Sequence, residues 1–339
     1  MISQNEIRNN YPIAEIQGAK TKGDFIYFTN KPYKADIVAD HLTKTVNEPF
    51  EQLQKVAQET NPQILNGYLK DIELPTELKL YESNGFILDE AAANEPTKDL
   101  SFFPVPRPKR VTNREVGYIC APSGSGKSVF ISKWLKIYNQ IYPDNGIVFF
   151  SFKTVEDPAY KDLYDKITWV PFHTMTEPVN TNDVKDCIFV FDDTDAGSSV
   201  NLADYGIDEK QLTASKIKTL KKSYAADLDE LIKNSCMNIT KVGRASGISI
   251  LLTSHVLQDG SWRVRDYYNE CTFAVLFGAK APKKLSRFLS SYTDFSSKQR
   301  AEIVSMGSQQ YHFIYLNKLS GDSEYVISPH MIKLFKTEE

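Results

Sequence analysis

No stretch of the chain approaches the ~20 consecutive apolar residues that cross a bilayer. The N-terminus, Met1 to Pro12, also lacks the apolar core of a signal peptide. A chain made and used in a cytosol-like compartment is therefore expected. Cysteine is scarce: Cys120, Cys187, Cys236 and Cys271 are widely spaced, and the first two sit beside apolar, strand-like runs. Buried free thiols are expected, rather than disulfides or a metal site. Neither sign of charge dominates. Forty basic residues face 43 acidic ones, a net charge of −3, which excludes a globally basic nucleic-acid binder but leaves room for a local basic surface. What is present is an ordinary globular mixture, 41% hydrophobic and 24% charged, enough to bury a core and unlike a fibrous or wholly disordered chain. At ~150 residues per domain, a chain of 339 residues is expected to hold about two domains.

The chain reads differently on either side of residue 110. In the first part, the alternation over Asp24-Phe25-Ile26-Tyr27-Phe28 predicts a strand, and Phe50, Leu53 and Val56 at helical spacing predict a helix over about 49–58. Glu82-Ser83-Asn84-Gly85 and an acidic, alanine-rich stretch from Asp89 to Pro96 follow. Pro104, Pro106 and Pro108 then occupy every second position. Proline removes amide donors and favours extended chain, so this segment is expected to be a linker or a strap on a domain surface. The boundary is placed there, with 1–110 as an accessory region and 111–339 as the main domain.

From Glu115 onward, strands and helices alternate. Continuous apolar runs predict strands over 116–120, 147–152, 187–191, 248–253 and 272–277. A helix is predicted over 127–142, with Phe130, Trp134, Leu135 and Tyr138 on one side and Pro143-Asp144-Asn145-Gly146 ending it. Such strands, separated by helical stretches, indicate a parallel sheet covered on both faces. Two late strands, around 311–316 and 324–327, are expected to form a hairpin at one edge.

Ala121-Pro122-Ser123-Gly124-Ser125-Gly126-Lys127-Ser128 has the spacing of a Walker A phosphate loop, with alanine in place of the first glycine. It follows a strand and opens a helix, the context that separates such a loop from a plain glycine–serine turn. Gly124 and Gly126 let backbone wrap around phosphates while free amides at the helix start point at them. Lys127 is expected on the β and γ oxygens and Ser128 on Mg²⁺, with Val129 completing the nucleotide-lining run. The apolar strand Phe189-Val190-Phe191 ends in Asp192-Asp193. Asp192 is expected to serve the Mg²⁺ shell, and Asp193, shorter than the glutamate common there, to act as general base. A solvated acidic loop is the plainer alternative, since strand-end acids are common in α/β proteins. Should Asp193 not be the base, Glu156 or Asp157 is next.

The fourth strand ends Thr253-Ser254-His255. In a sheet of this kind it lies between the phosphate-loop strand and the acidic strand, so Ser254 or His255 is expected to sense the γ-phosphate, ahead of Thr253. A lone histidine after a strand is otherwise a capping group. Arg244, between Gly243 and Gly247, is expected to reach a neighbouring subunit's nucleotide, or else to be a surface arginine. Arg263 and Arg265 are the fallback candidates for that role. Lys210, Lys216, Lys218, Lys221 and Lys222 form one basic cluster, and Lys280, Lys283, Lys284 and Arg287 a second. Either could track DNA phosphates without reading sequence, or simply be a solvated helix face.

The series Ala121 to Ser128, Val148-Phe149-Phe150-Ser151 with Glu156-Asp157-Pro158, Phe191-Asp192-Asp193, Gly243-Arg244, Ser249 to His255 and Asn269-Glu270 resembles one family. That family is the poxvirus-type genome-packaging ATPases of large DNA viruses, virophages and related transposons, within the FtsK–HerA group of DNA-pumping P-loop motors. The likeness covers roughly 115–335 and leaves residues 1–110 outside it. Where the family often has glutamine at the sensor position, this chain has His255. The resemblance implies an α/β P-loop NTPase of the additional-strand type, with a largely parallel central sheet and helices on both faces. A smaller N-terminal α+β region precedes it. It further implies an ATP- and Mg²⁺-dependent motor that threads double-stranded DNA, without sequence preference, into a preformed capsid. The implied assembly is a ring of identical subunits, hexamer or pentamer, docked on a capsid or portal-vertex protein in a virion or in a viral factory of the host cytoplasm. Two other functions share the phosphate loop: a P-loop kinase, which would need an acceptor site, and a nucleotide-gated capsid or membrane scaffold with little turnover.

Overall fold

The computed structural model describes residues 10–17, 25–29, 81–82, 85–86, 101–107, 114–153, 157–182, 184–195, 200–255, 257, 261–318 and 323–336. The chain divides into two units, one of residues 1–104 with 327–334 and one of residues 105–326 with 335–339. In the first unit, β1 (Asn10–Ile16) pairs antiparallel with β2 (Phe25–Thr29), and a bulge between Pro12 and Ala14 absorbs the register shift. β3 (Tyr81–Glu82) pairs antiparallel with β4 (Gly85–Phe86) as a separate two-stranded sheet. β5 (Phe102–Pro104) pairs with the other side of β1, giving the order β2-β1-β5. The strand expected from Asp24 is therefore present from Phe25; the expected helix over 49–58 and the acidic stretch lie outside the described residues.

The second unit is built on a sheet in which the strands over 116–120, 187–191, 249–254 and 273–276 are buried at every position, as a sheet covered on both faces requires. In chain order its strands are β6 (Val116–Cys120), β7 (Gly146–Ser151), β8 (Ile167–Pro171), β9 (Cys187–Phe191), β10 (Ser249–Ser254), β11 (Phe273–Leu276), β12 (Ile314–Asn317) and β13 (Ser323–Ser328); β14 (Met331–Lys336) follows, most of it counted with the first unit. Within this unit the strand order is β13-β12-β11-β6-β10-β9-β7-β8. From β11 to β8 every pairing is parallel; β12 returns antiparallel against β11. β10 lies between β6 and β9, with Ser254 opposite Cys120 and Leu252 opposite Phe191. This inserted strand brings three strand ends together at one edge.

Four helices of ten or more residues are described: α1 (Lys127–Ile141), α2 (Ala214–Val242), α3 (Pro282–Tyr292) and α4 (Ser297–Met306). α1 buries Phe130, Ile131, Trp134, Leu135 and Tyr138, and Trp134 packs 5.5 Å from the Phe273 ring of β11. α2 is different along its length. Its buried residues begin at Leu228 and continue through Ile232, Cys236 and Ile239 at helical spacing, leaving the first half exposed. All four cysteines are buried free thiols. Among the described residues no helix is long and apolar enough to cross a membrane.

β8 was not expected from the sequence. It is an edge strand with only Ile167 fully buried and a proline at its end, so it carries neither an apolar run nor a clean alternation. The proline-rich segment also differs from expectation. Val105 and Arg107 are buried rather than lying on a surface. The Arg107 guanidinium pairs with Glu115, whose Oε1 accepts from the Arg107 backbone N–H at 2.7 Å and from Nε at 3.0 Å. Glu115 in turn donates its own N–H to Ser249 Oγ (3.0 Å), and Tyr142 donates its hydroxyl to the Arg107 carbonyl. Removing one member of a buried pair leaves the other charge uncompensated. Arg107→Ala is therefore expected to lower stability by about 3–5 kcal/mol, read as a shifted urea midpoint. A shift no larger than that of a surface arginine variant would show the pair to be dispensable.

Candidate active site

The Walker-type loop starts where β6 ends. Ala121 N–H donates to the Ser254 carbonyl (3.0 Å), tying the loop to the end of β10, and Ser125 N–H donates to the Pro122 carbonyl (3.2 Å) across the turn. Gly124 has φ +69° and Gly126 φ +95°, the left-handed region in which a side chain is strained. Gly126 is the N-cap of α1, and no side chain caps that helix or places an acid in its first turn. The opening amides of α1 therefore lack the usual side-chain oxygen and face the positive end of the helix dipole outward, as an anion site needs. Lys280, of the second basic cluster, donates its ammonium to the Ser123 carbonyl at 2.8 Å. Val129, in the first turn of α1, is exposed.

Lys127 is buried, and its ammonium lies between the two acids at the end of β9, 3.4 Å from Asp192 Oδ1 and in contact with Asp193. Burial lowers its pKa and the attraction of Asp192 opposes that shift. The protein thus holds a cation here against its desolvation cost. Thr253 ties the group together: its hydroxyl donates to Asp192 Oδ1 (2.8 Å) and accepts from Asp193 N–H (2.8 Å) and from Lys127 Nζ (3.3 Å). Asp193 itself sits at φ +57°, a conformation aspartate tolerates better than most residues. Its Oδ1 is buried and accepts no hydrogen bond of ordinary geometry, although the Lys127 ammonium contacts it and His255 Nε2 lies 3.1 Å away.

His255 bridges the loop and this acid, its Nδ1 lying 3.3 Å from the Ala121 carbonyl. Both ring nitrogens face acceptors, so the neutral ring satisfies one at a time. Burial, and next the Lys127 charge, hold its pKa below the ordinary 6.5, opposed by the Ala121 carbonyl and by Asp195 and Asp192. Ser254 turns its hydroxyl to Asp195, which also accepts from His255 N–H at 2.7 Å. Asp195 continues to Arg263, whose Nε lies 3.1 Å from Asp195 Oδ1 and 2.8 Å from Thr194 Oγ1, and whose outer nitrogen meets Asp229 of α2. Arg263 is thus buried and engaged within the unit.

The structure brings together Ala121 to Ser128, Asp192, Asp193 and His255, while Ser254 stands one step back on Asp195. It gives the central hydroxyl to Thr253, which the sequence ranked third, and adds Asp195, which read as part of an acidic loop. Asp157 caps the turn at Pro158–Leu163 through Ala159 N–H (3.0 Å) and pairs with Lys153 at 2.7 Å. Partial burial raises its pKa, but Lys153, Ala159 N–H and Ser128 hold it below the carboxylate norm. Glu156 lies outside the described residues. Arg244 lies away from the phosphate loop of its own chain. It is exposed, just past the α2 C-cap Gly243, at the beginnings of the strands: Ser246 accepts from Asp186 N–H ahead of β9, and Arg244 acts electrostatically on Arg114 ahead of β6. The phosphate loop leaves the opposite edge, roughly 16–20 Å away at ~3.3 Å per strand residue.

Among the described residues no cluster of three or more His, Cys, Asp or Glu could hold a metal by itself. The donors present, the Ser128 hydroxyl and the Asp192 carboxylate, suit a hard cation that shares its remaining ligands with a polyphosphate.

No protein-family model matches the chain. Over 220 residues, 64% of this chain and 75% of the relative, it is 25% identical to the uncharacterized protein V3 of the Sputnik virophage. Among solved structures it is similar to the genome packaging NTPase B204 from Sulfolobus turreted icosahedral virus 2 in complex with ATP-gammaS, 14% identical over 66% of this chain and 97% of that one, TM-score 0.36. It is also similar to B204, the DNA-packaging ATPase from Sulfolobus turreted icosahedral virus, 15% identical over 67% and 100%, TM-score 0.38. A third similar structure is the pCW3 conjugation coupling protein TcpA, 12% identical over 67% and 62%, TM-score 0.37. With β10 between the loop strand and the acidic strand in a largely parallel sheet flanked by helices, the second unit has the fold of a P-loop NTPase of the additional-strand type.

Proposed function

We propose that the chain is an ATP-hydrolysing motor that moves double-stranded DNA into a viral capsid. The observation that carries the hydrolytic part is the Lys127 ammonium buried between Asp192 and Asp193, with Thr253 hydrogen-bonded to all three. The α1 amides and Lys127 bind the polyphosphate. As Lys127 turns from the carboxylates to phosphate oxygens, Asp193 loses its counter-ion and becomes free to take a proton from water. Thr253, and His255 through Asp193, report whether the acid pair is occupied. Ser128 and Asp192 would hold Mg²⁺ together with the nucleotide, and the ion would supply charge neutralisation on the phosphates.

The DNA part rests on the motif series and on charge. Lys216, Lys218 and Lys222 are exposed along the first half of α2, and Lys283, Lys284 and Arg287 along α3, so both helices offer cations for phosphate tracking. Lys221 is less available, because it pairs with Glu209 at 2.8 Å. A homo-oligomeric ring on a capsid or portal-vertex protein, in the virion or a viral factory, completes the reading. ATPase turnover with and without long double-stranded DNA tests it. Stimulation by DNA supports the motor. Phosphate transfer to another acceptor makes the chain a kinase, and binding without turnover makes it a scaffold.

Asp193→Asn is expected to retain ATP binding and to stop hydrolysis, since Asp192 remains. Radiolabelled ATP binding measured beside phosphate release checks both halves. Normal release would move the base elsewhere, with Asp157 the next group to vary.

A further inference from the structure

The edge that carries the phosphate loop also carries an exposed aromatic ring. β12 runs antiparallel to β11 with Ile314 opposite Leu276, and Leu276 is opposite Cys120, the last residue before the loop. Residues just ahead of Ile314 therefore fall beside the start of α1. Tyr311 is there. A Cβ placed on Gly126 would lie 3.5 Å from its ring, so the ring edge is in van der Waals range of the helix N-cap. Yet Tyr311 is 61% exposed, one of three large hydrophobic side chains so exposed among the described residues. A second of the three is Val129, in the first turn of the same helix.

Two further features argue that the ring is held out rather than left out. Tyr311 has φ +67°, a left-handed conformation that costs a bulky residue free energy and persists only where its surroundings impose it. Those surroundings are visible: Phe313, two residues on, is buried with its ring 5.0 Å from Phe130 of α1 and 6.4 Å from Phe277. The His312 N–H closes the turn on the Gln309 carbonyl at 3.1 Å. A buried aromatic cluster thus anchors the turn and leaves one aromatic face at the mouth of the phosphate site.

We infer that Tyr311 is the stacking platform for the nucleobase of the nucleoside triphosphate held by the phosphate loop, with Val129 as an apolar neighbour. Any base presents a π-face, so the contact supplies affinity with little discrimination among bases. The inference rests on the nucleotide reading above, and the test separates the two. Binding of ATP and of inorganic tripolyphosphate, each with Mg²⁺, is measured by calorimetry on the full chain, on Tyr311→Asn and on Tyr311→Phe. Asparagine removes the ring and tolerates the left-handed backbone; phenylalanine keeps the ring and removes the hydroxyl.

The expected result is a roughly 5- to 100-fold weaker ATP affinity for Tyr311→Asn, with tripolyphosphate affinity unchanged within about twofold and Tyr311→Phe like wild type. Equal loss for both ligands would mean that the turn merely supports the loop. No loss, or a loss shared by Tyr311→Phe, would remove the stacking role. If the wild-type chain binds neither ligand, the nucleotide reading itself fails and the platform with it.

Discussion

Lys127→Ala is expected to abolish ATP hydrolysis, by at least ~10²–10³-fold, and to weaken nucleotide binding. The ammonium contacts Asp192, Asp193 and Thr253 through one atom. Burial already depresses its pKa, so the fold accepts a desolvation cost to keep a cation in that place. A cation held so is stabilised more by a triphosphate's several negative oxygens than by the two carboxylates, which is the preference a phosphate site needs. Alanine would also leave the two acids facing one another with less charge between them, so Lys127→Met, which keeps the volume, is the companion variant. Both should show wild-type far-UV dichroism and no phosphate release. Turnover at the wild-type rate in either would mean that hydrolysis does not occur at this loop.

Much of this site was legible because its residues sit at the ends of apolar strands. The run Val116–Cys120 followed by Gly-Lys-Ser, and the run Cys187–Phe191 followed by two acids, are contiguous in sequence, and parallel strands bring their ends to one edge. What stayed hidden depends on direction and on long-range pairing. Thr253 ranked behind Ser254 and His255 as a sensor, and only the register of β10 between β6 and β9 aims its hydroxyl at Lys127. Asp195 read as a loop acid because its partners Ser254 and Arg263 are 59 and 68 residues further on. Tyr311 has no sequence signal, since its role follows from a positive φ that tyrosine rarely adopts. Arg107 looked like linker because alternating prolines do suggest one; its burial follows from Glu115, seen only when β6 and the preceding segment are folded together.

Arg244→Ala is expected to leave ATP binding intact and to cut hydrolysis by ~10³–10⁵-fold, the worth of an arginine supplied to a neighbour's phosphate. Its position makes the prediction sharper than sequence did. Arg244 lies at the beginnings of the strands and the phosphate loop at their ends, so a strand length of roughly 16–20 Å separates it from its own site. An arginine side chain cannot cover that span; any action on a nucleotide must fall on another copy. It is exposed at the end of α2, beside Arg114, whose guanidinium already caps that helix through the Ile239 and Thr240 carbonyls at 2.9 and 2.6 Å. Of the fallback candidates, Arg263 is removed by its engagement with Thr194, Asp195 and Asp229. Arg265 pairs with its neighbour Asp266 at 2.7 Å and stays exposed. The deciding experiment mixes Arg244→Ala with Lys127→Ala. Each variant alone should be inactive, but in a ring some interfaces join an intact loop on one subunit to an intact arginine on the next, and partial turnover should return. Activity of Arg244→Ala alone, or a co-assembled mixture that stays inactive, would exclude Arg244 and turn the same test to Arg265.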